Sequence, residues 1–262
     1  MTDEAPILLA RDGAIARLIL NRPGRHNAIS LEMWQALPRL AAEIDGDPAI
    51  KAVIVTGAGG KAFSSGADIG EFATVYATPE SSRAYNDAVR AGFHAVERIA
   101  KPTVAMVNGI CVGGGCGLAL NCDLRFAAEG ARFGITPAKL GLVYSFADTK
   151  RLVDTVGPAR AKDILFSGRL VEAEEALRIG LIDRLLPPDR LEAETVDYVT
   201  GLSRLSQYTI RATKRIVQEM VDGADAETPV SRRLFDDSFA GEDFREGYAA
   251  FLAKRPPGFT WG

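Results

Sequence analysis

One stretch of the chain, "PTVAMVNGICVGGGCGLAL" at residues 102–120, carries no charged side chain and five glycines. Its length approaches that of a membrane span. Asn108 and the crowding of the glycines into one half argue instead for a buried strand running into a buried helix. Glycine inside a helix costs about 0.5–1 kcal/mol relative to alanine, so glycines at 113, 114, 115 and 117 require a reason. Either something approaches the backbone closely, or the unpaired amides of a helix start face a ligand.

The bulk properties exclude several classes of function. A length of 262 residues suits one large domain, or one domain with an appendage. A net charge of −3 and 25 % charged residues argue against a nucleic-acid partner. The opening "MTDEAPILLA" has Asp3 and Glu4 where a signal peptide carries Lys or Arg, so a cytoplasmic, membrane-free protein is expected. Cys111, Cys116 and Cys122 match no common metal spacing and read as small buried hydrophobes of a reducing compartment.

Strand and helix patterns alternate, which gives an α/β class. "PILLARDGAIARLILNRP" predicts two strands about an Asp12-Gly13 turn. Ser30 is a helix N-cap, with Pro38 marking an early kink. Residues 66–102 are helical in parts, broken around Thr78-Pro79, and polar enough for a flap. From about Gly201 the chain turns helical and charged, which predicts a core over residues 1–200 and a helical segment over 201–262.

Two segments share a design. "KAFSSGADI" and "NGICVGGGCGLAL" each follow a strand and place small residues just before a helix. Two first-turn amides aimed at one carbonyl oxygen form an oxyanion hole, worth several kcal/mol to an enolate or tetrahedral anion. Tight strand-helix packing is the other reading of the same residues. "TGAGGKAF" fails as a phosphate loop on glycine spacing, and Ala62 replaces the first glycine of a nucleophile elbow in "AFSSG". A serine hydrolase acting through Ser64 or Ser65 also needs a histidine base. His26 and His94 are the two histidines, and both read as solvated.

Four stretches taken together resemble the crotonase (enoyl-CoA hydratase/isomerase) superfamily: "LNRPGRHNAIS", "KAFSSGADIGEF", "KPTVAMVNGICVGGGCGLALNCDLRFAAEGARFG" and "EDFREGYAAFLAKRPPGF". The likeness covers nearly the whole chain in order. It implies a crotonase-like ββα spiral with a C-terminal helical segment, assembled as a homotrimer or a dimer of trimers. It also implies an acyl-CoA substrate, with CoA part of that substrate and no other cofactor or metal. By the same resemblance the Ala67 and Gly114 amides hold the thioester carbonyl, with Asp68 and Ile69 adjoining it. Arg25, Lys254 and Arg255 are cations that either meet the CoA phosphates or form plain surface charge.

The departures from the family pattern are informative. Its hydratases carry glutamates in GGGxE and QPE, and here those positions are Gly117 and Ala138. General acid-base groups contribute about 10²–10⁴-fold each, so hydration by that route is expected to be very weak. Tyr144 stands at a spacing, T-P-x-x-L-G-x-x-Y, similar to that of the family's methylmalonyl-CoA decarboxylases, which keep a glutamate at the Gly117 position. Tyr144 is therefore either a proton donor or a space-filler, with Asp148, Ser145 and Thr136 as further polar candidates. Decarboxylation, isomerisation and C–C cleavage all pass through one stabilised enolate. An acyl-CoA-binding protein with reduced catalysis is the alternative.

Overall fold

A computed structural model describes residues 5–260; Asp3 and Glu4, on which the leader expectation turned, lie outside them. Strands β1 (Ile7–Asp12) and β2 (Ile15–Leu20) pair antiparallel in the expected hairpin, closed by Gly13 at φ +57°. Helix α1 (Leu31–Gly46) starts at Ser30, whose Oγ accepts from the Met33 amide, and it continues through Pro38. The apolar stripe of Met33, Trp34, Leu37, Leu40, Ala41 and Ile44 is buried. Burying that stripe outweighs the one hydrogen bond that proline removes.

The next elements repeat a strand–strand–helix unit. Strands β3 (Ala52–Gly57) and β4 (Ala62–Ser64) precede helices α2 (Phe72–Val75) and α3 (Pro79–Glu97). Strands β5 (Thr103–Val107) and β6 (Ile110–Val112) precede α4 (Gly114–Leu120). Strands β7 (Leu124–Ala128) and β8 (Arg132–Gly134) precede α5 (Phe146–Val156) and α6 (Pro158–Ser167). Then come β9 (Val171–Glu172), α7 (Ala173–Arg178), β10 (Arg184–Leu186) and α8 (Leu191–Ser203). Helices α9 (Gln207–Val221), α10 (Pro229–Ala240) and α11 (Glu242–Leu252) end the described chain.

The first strand of each unit joins a sheet of order β1-β2-β3-β5-β7-β10, and the second joins one of order β4-β6-β8-β9. This is the crotonase ββα spiral. Strands β3 and β5 are buried along their whole length, as parallel strands covered on both faces must be. Leu191 and Val199 of α8 cover one face against Ile54, Val104 and Phe126, so α8 runs across the expected 200/201 boundary. The segment read as a flap is largely α3, capped by Thr78 and docked on α1 through Gly92 and Phe93. The three cysteines are buried, and burial pushes the Cys122 thiol up to about 12. Among the described residues no helix is long and apolar enough to cross a membrane.

The spiral is close enough that backbone meets backbone between its turns. A Cβ at Gly109 sits 2.2 Å from the Lys61 carbonyl oxygen, whereas one at Gly46, the last residue of α1, meets nothing within 4 Å. Gly109→Ala is therefore expected to destabilise by about 1–3 kcal/mol or more, while Gly46→Ala stabilises by about 0.4–1 kcal/mol. Urea midpoints of the two variants check both signs.

Candidate active site

The site forms where two adjacent turns of the spiral leave the second sheet. Strand β4 runs parallel to β6, pairing Ala62 with Ile110 and Ser64 with Cys111, so the segments that follow them lie side by side. They touch through glycines. A Cβ on Gly66, at φ +95°, lies 2.9 Å from the Val112 carbonyl oxygen and 3.2 Å from the Gly114 nitrogen. A Cβ on Gly115 lies 2.6 Å from that of Ser64. Close packing thus accounts for glycine at these positions.

The amides give them a second use. Among the described residues no backbone or side-chain acceptor takes the N–H of Ala67 or of Gly114. Gly114 is the first residue of α4, with no preceding turn to bond. Ala67 sits in a one-residue parallel bridge to Ile29 whose bonds use Gly66 O and Asp68 N, leaving its own N–H outside the ladder. The two amides are neighbours: the Cβ point on Gly114 lies 3.5 Å from the Ala67 nitrogen.

Both residues line a cleft of about 890 Å³, walled by Trp34, Phe93, Tyr144 and the exposed Ile69. Thr136, Ser145 and Asp148 line it too. Gly117 faces the same wall from α4: a Cβ there lies 2.8 Å from Phe93 Cζ and 2.9 Å from the Tyr144 hydroxyl oxygen. The Tyr144 hydroxyl fills the room that any side chain at 117 needs. It is shielded from solvent and has no hydrogen-bond partner among the described residues. Burial, aided by the nearby Asp148 carboxylate, pushes its pKa well above the ordinary tyrosine value. Burial also raises Asp148, although the Ser145 hydroxyl donates to its Oδ2 at 2.5 Å. Ala138 is exposed on the Pro137–Leu140 turn.

The other sequence candidates, and the acids Glu71 and Asp123 near them, fall in different places. Asp68 is turned to Arg22 at 2.8 Å and accepts from the Gly70 amide at 3.0 Å, so its carboxylate does not line the cleft. Glu71 accepts from the Leu31 amide at 2.7 Å, and Asp123 from the Thr103 amide at 2.7 Å, so both hold backbone. Arg25 is exposed beside Ser65, whose hydroxyl donates to the Arg25 carbonyl at 3.4 Å. Lys254 follows α11 away from the cleft lining, and Arg255 pairs with Glu246 at 2.6 Å. Ser64 Oγ accepts from the Gly66 amide at 3.1 Å, and the Ser65 amide donates to the His26 carbonyl at 2.9 Å, but among the described residues neither serine hydroxyl bonds to an imidazole. His94 lines the cleft from α3, while His26 is exposed at φ +49°. Trp34 and Phe93, which shape the cleft, were legible only as apolar helix positions. Arg22 stood in a quoted motif without a role.

The chain belongs to the enoyl-CoA hydratase/isomerase family, whose model matches residues 10–261. The structure of a Hyphomonas neptunium protein assigned to that family is similar, with 45% identity, 98% of each chain covered and a TM-score of 0.96. A Magnetospirillum magneticum enoyl-CoA hydratase/carnithine racemase is 35% identical over 99% of this chain and 97% of its own, with a TM-score of 0.94. A crotonyl-CoA hydratase of Syntrophomonas wolfei is 34% identical over 97% of each chain. Homologues so named support an enzyme acting on CoA thioesters.

The contact between residues 117 and 144 is measurable. Gly117→Ala gains helix propensity but crowds the Tyr144 hydroxyl and Phe93. Removing the hydroxyl with Tyr144→Phe relieves part of that crowding. A double-mutant cycle in urea should give a coupling of about 0.5–1 kcal/mol, with Gly117→Ala better tolerated in the Phe background.

Proposed function

We propose that this protein converts an acyl-CoA by stabilising a thioester enolate, with the carbonyl oxygen accepting from the Ala67 and Gly114 amides. The observation that carries the reading is the pair of neighbouring, unbonded amides in the cleft wall. Such donors need no reorganisation as charge develops on the oxygen. Gly114→Pro removes one of them at a first helical position, where the lost N–H breaks no helix bond, although its Cβ presses on Trp34 at 3.1 Å. Turnover should fall by about 10²–10³-fold in a folded variant; unchanged turnover refutes the assignment.

Gly117 and Ala138 supply no carboxylate, so the chemistry we favour needs protonation of the enolate and no added water. Decarboxylation fits. The bond from Cα to the departing carboxylate breaks, carbon dioxide leaves, and its electron pair becomes the enolate. Cα then takes a proton from Tyr144 once its hydroxyl turns off Gly117 toward the cleft, and water admitted as product leaves restores that proton. A phenol raised by burial stays protonated through pH 10, so it is a ready donor and a poor base. Isomerisation and C–C cleavage use the same enolate but also need a base. Tyr144→Phe should lower kcat by about 10²-fold with little change in stability. The wild-type rate should also show no alkaline loss from Tyr144 below pH 10, because the raised pKa extends the protonated form upward. A wild-type rate in the Phe variant makes Tyr144 packing, and Asp148 the next residue to test.

A second reading has its own support. The buried Tyr144 hydroxyl and the absent carboxylates also suit an acyl-CoA-binding protein with reduced catalysis. A screen across acyl-CoA classes, malonyl-type thioesters included, with mass detection separates turnover from binding alone. Hydration of crotonyl-CoA should be very weak, and rapid hydration overturns the roles given to Gly117 and Ala138. We further propose that no metal or additional cofactor is used, that Arg25 and Lys254 meet CoA phosphates, and that the protein works in the cytoplasm. Exposed Phe235, Phe239, Phe244, Tyr248 and Phe251 on α10 and α11 suit assembly into a homotrimer or a dimer of trimers.

A further inference from the structure

Ala67 offers the site an amide, so its contribution depends on what holds its backbone. The bridge to Ile29 is one residue long, with the Ile29 amide donating to Gly66 O at 2.8 Å and the Asp68 amide to Ile29 O at 3.0 Å. A single rung of a ladder is weak by itself. Arg22 spans it. One guanidinium nitrogen donates to Ala28 O at 2.8 Å, and the other pairs with Asp68 Oδ2 at 2.8 Å. Asp68 Oδ1 accepts from the Gly70 amide at 3.0 Å, so both carboxylate oxygens are engaged.

Arg22 is itself anchored. Its amide donates to Asn27 Oδ1 at 3.0 Å, and Asn27 Nδ2 donates to the Ala58 and Ala62 carbonyls at 2.9 and 2.8 Å. Asn27 is fully buried, and Asp68 is 8% exposed. Burial opposes ionisation of Asp68, but the bonds from Arg22 and Gly70 outweigh it and hold the carboxyl below its usual range. The pair is therefore charged at every working pH. Charge-assisted bonds of this kind are shorter and stiffer than neutral ones.

We infer that the Arg22–Asp68 ion pair is the positioning device of this site, clamping residues 66–68 to residues 28–30 so that the Ala67 amide stays beside that of Gly114. Neither side chain lines the cleft, so both act through the Ala67 backbone. The inference rests on the reading of these amides as the thioester site.

The test uses the whole protein saturated with a cinnamoyl-type CoA thioester. Hydrogen bonds to the carbonyl oxygen draw electron density along the conjugated system and move its absorption band to longer wavelength. The wild type should show that red shift. Asp68→Asn, which keeps the size and loses the charge, should lose most of it and lower kcat on the true substrate by about 10²-fold. The thermal midpoint should fall, because the change leaves the Arg22 charge without its partner, while the variant stays folded at assay temperature and the Kd of the probe changes little. Arg22→Ala should behave in the same way, and Arg22→Lys should recover part of the shift. A folded Asp68→Asn variant with the wild-type red shift and kcat overturns the clamp. If the wild type itself shows no red shift, the thioester reading fails and the inference falls with it.

Discussion

Two strands one ladder step apart, β4 and β6, end level with each other, and the chain that leaves each must turn outward through the same space. The contact between those turns is main chain on main chain. Gly66 lies against Val112 and Gly114, and Gly115 lies on Ser64, all at distances that admit no Cβ. Everything else about the site follows from that approach. It brings the start of α4 beside the Ala67 loop, and it leaves two amides without partners at the wall of a cleft. Packing accounts for these glycines, and the same close approach leaves the amides free, so the two readings of the glycines do not exclude each other.

Main-chain donors have a property that side chains lack: ordinary substitution does not delete them. A scaffold that stabilises the anion through the backbone leaves the side chains around it free to vary in chemistry. Positions 117, 138 and 144 are of that kind. Gly117 and Ala138 carry no proton-transfer group, and Tyr144 places a hydroxyl over Gly117. The fold supplies the pair of free amides, and this chain supplies its own surroundings for them.

Local signals in the sequence were reliable where local physics decides. The Asp12-Gly13 hairpin, the Ser30 cap and the break around Thr78-Pro79, which falls between α2 and α3, need only neighbouring residues, and all three form. The ββα repeat was not legible as a period, because the helices between its strands differ greatly, with 19 residues in α3 and 7 in α4. Pro38 does not end α1, because the cost of a proline is local while the burial of α1 is collective. Ala67 and Gly114 were legible from small residues at strand ends. Arg22 was not, since an arginine in a turn looks like any solvated charge until its partners, Ala28 and Asp68, are seen around it.

The shared volume between Gly117 and Tyr144 also limits the routes by which such a site can change over time. A lineage exchanging the phenol for a longer side chain at 117 has two steps to take, and their order matters. Enlarging 117 first drives the new side chain into the hydroxyl and Phe93. Removing the whole ring at 144 first opens a hollow beside a helix that already carries glycine. Each single step passes through a less stable ancestor than either endpoint, so the two states are separated by a valley. Chains on its two sides can keep one fold and one pair of free amides while rarely crossing between chemistries.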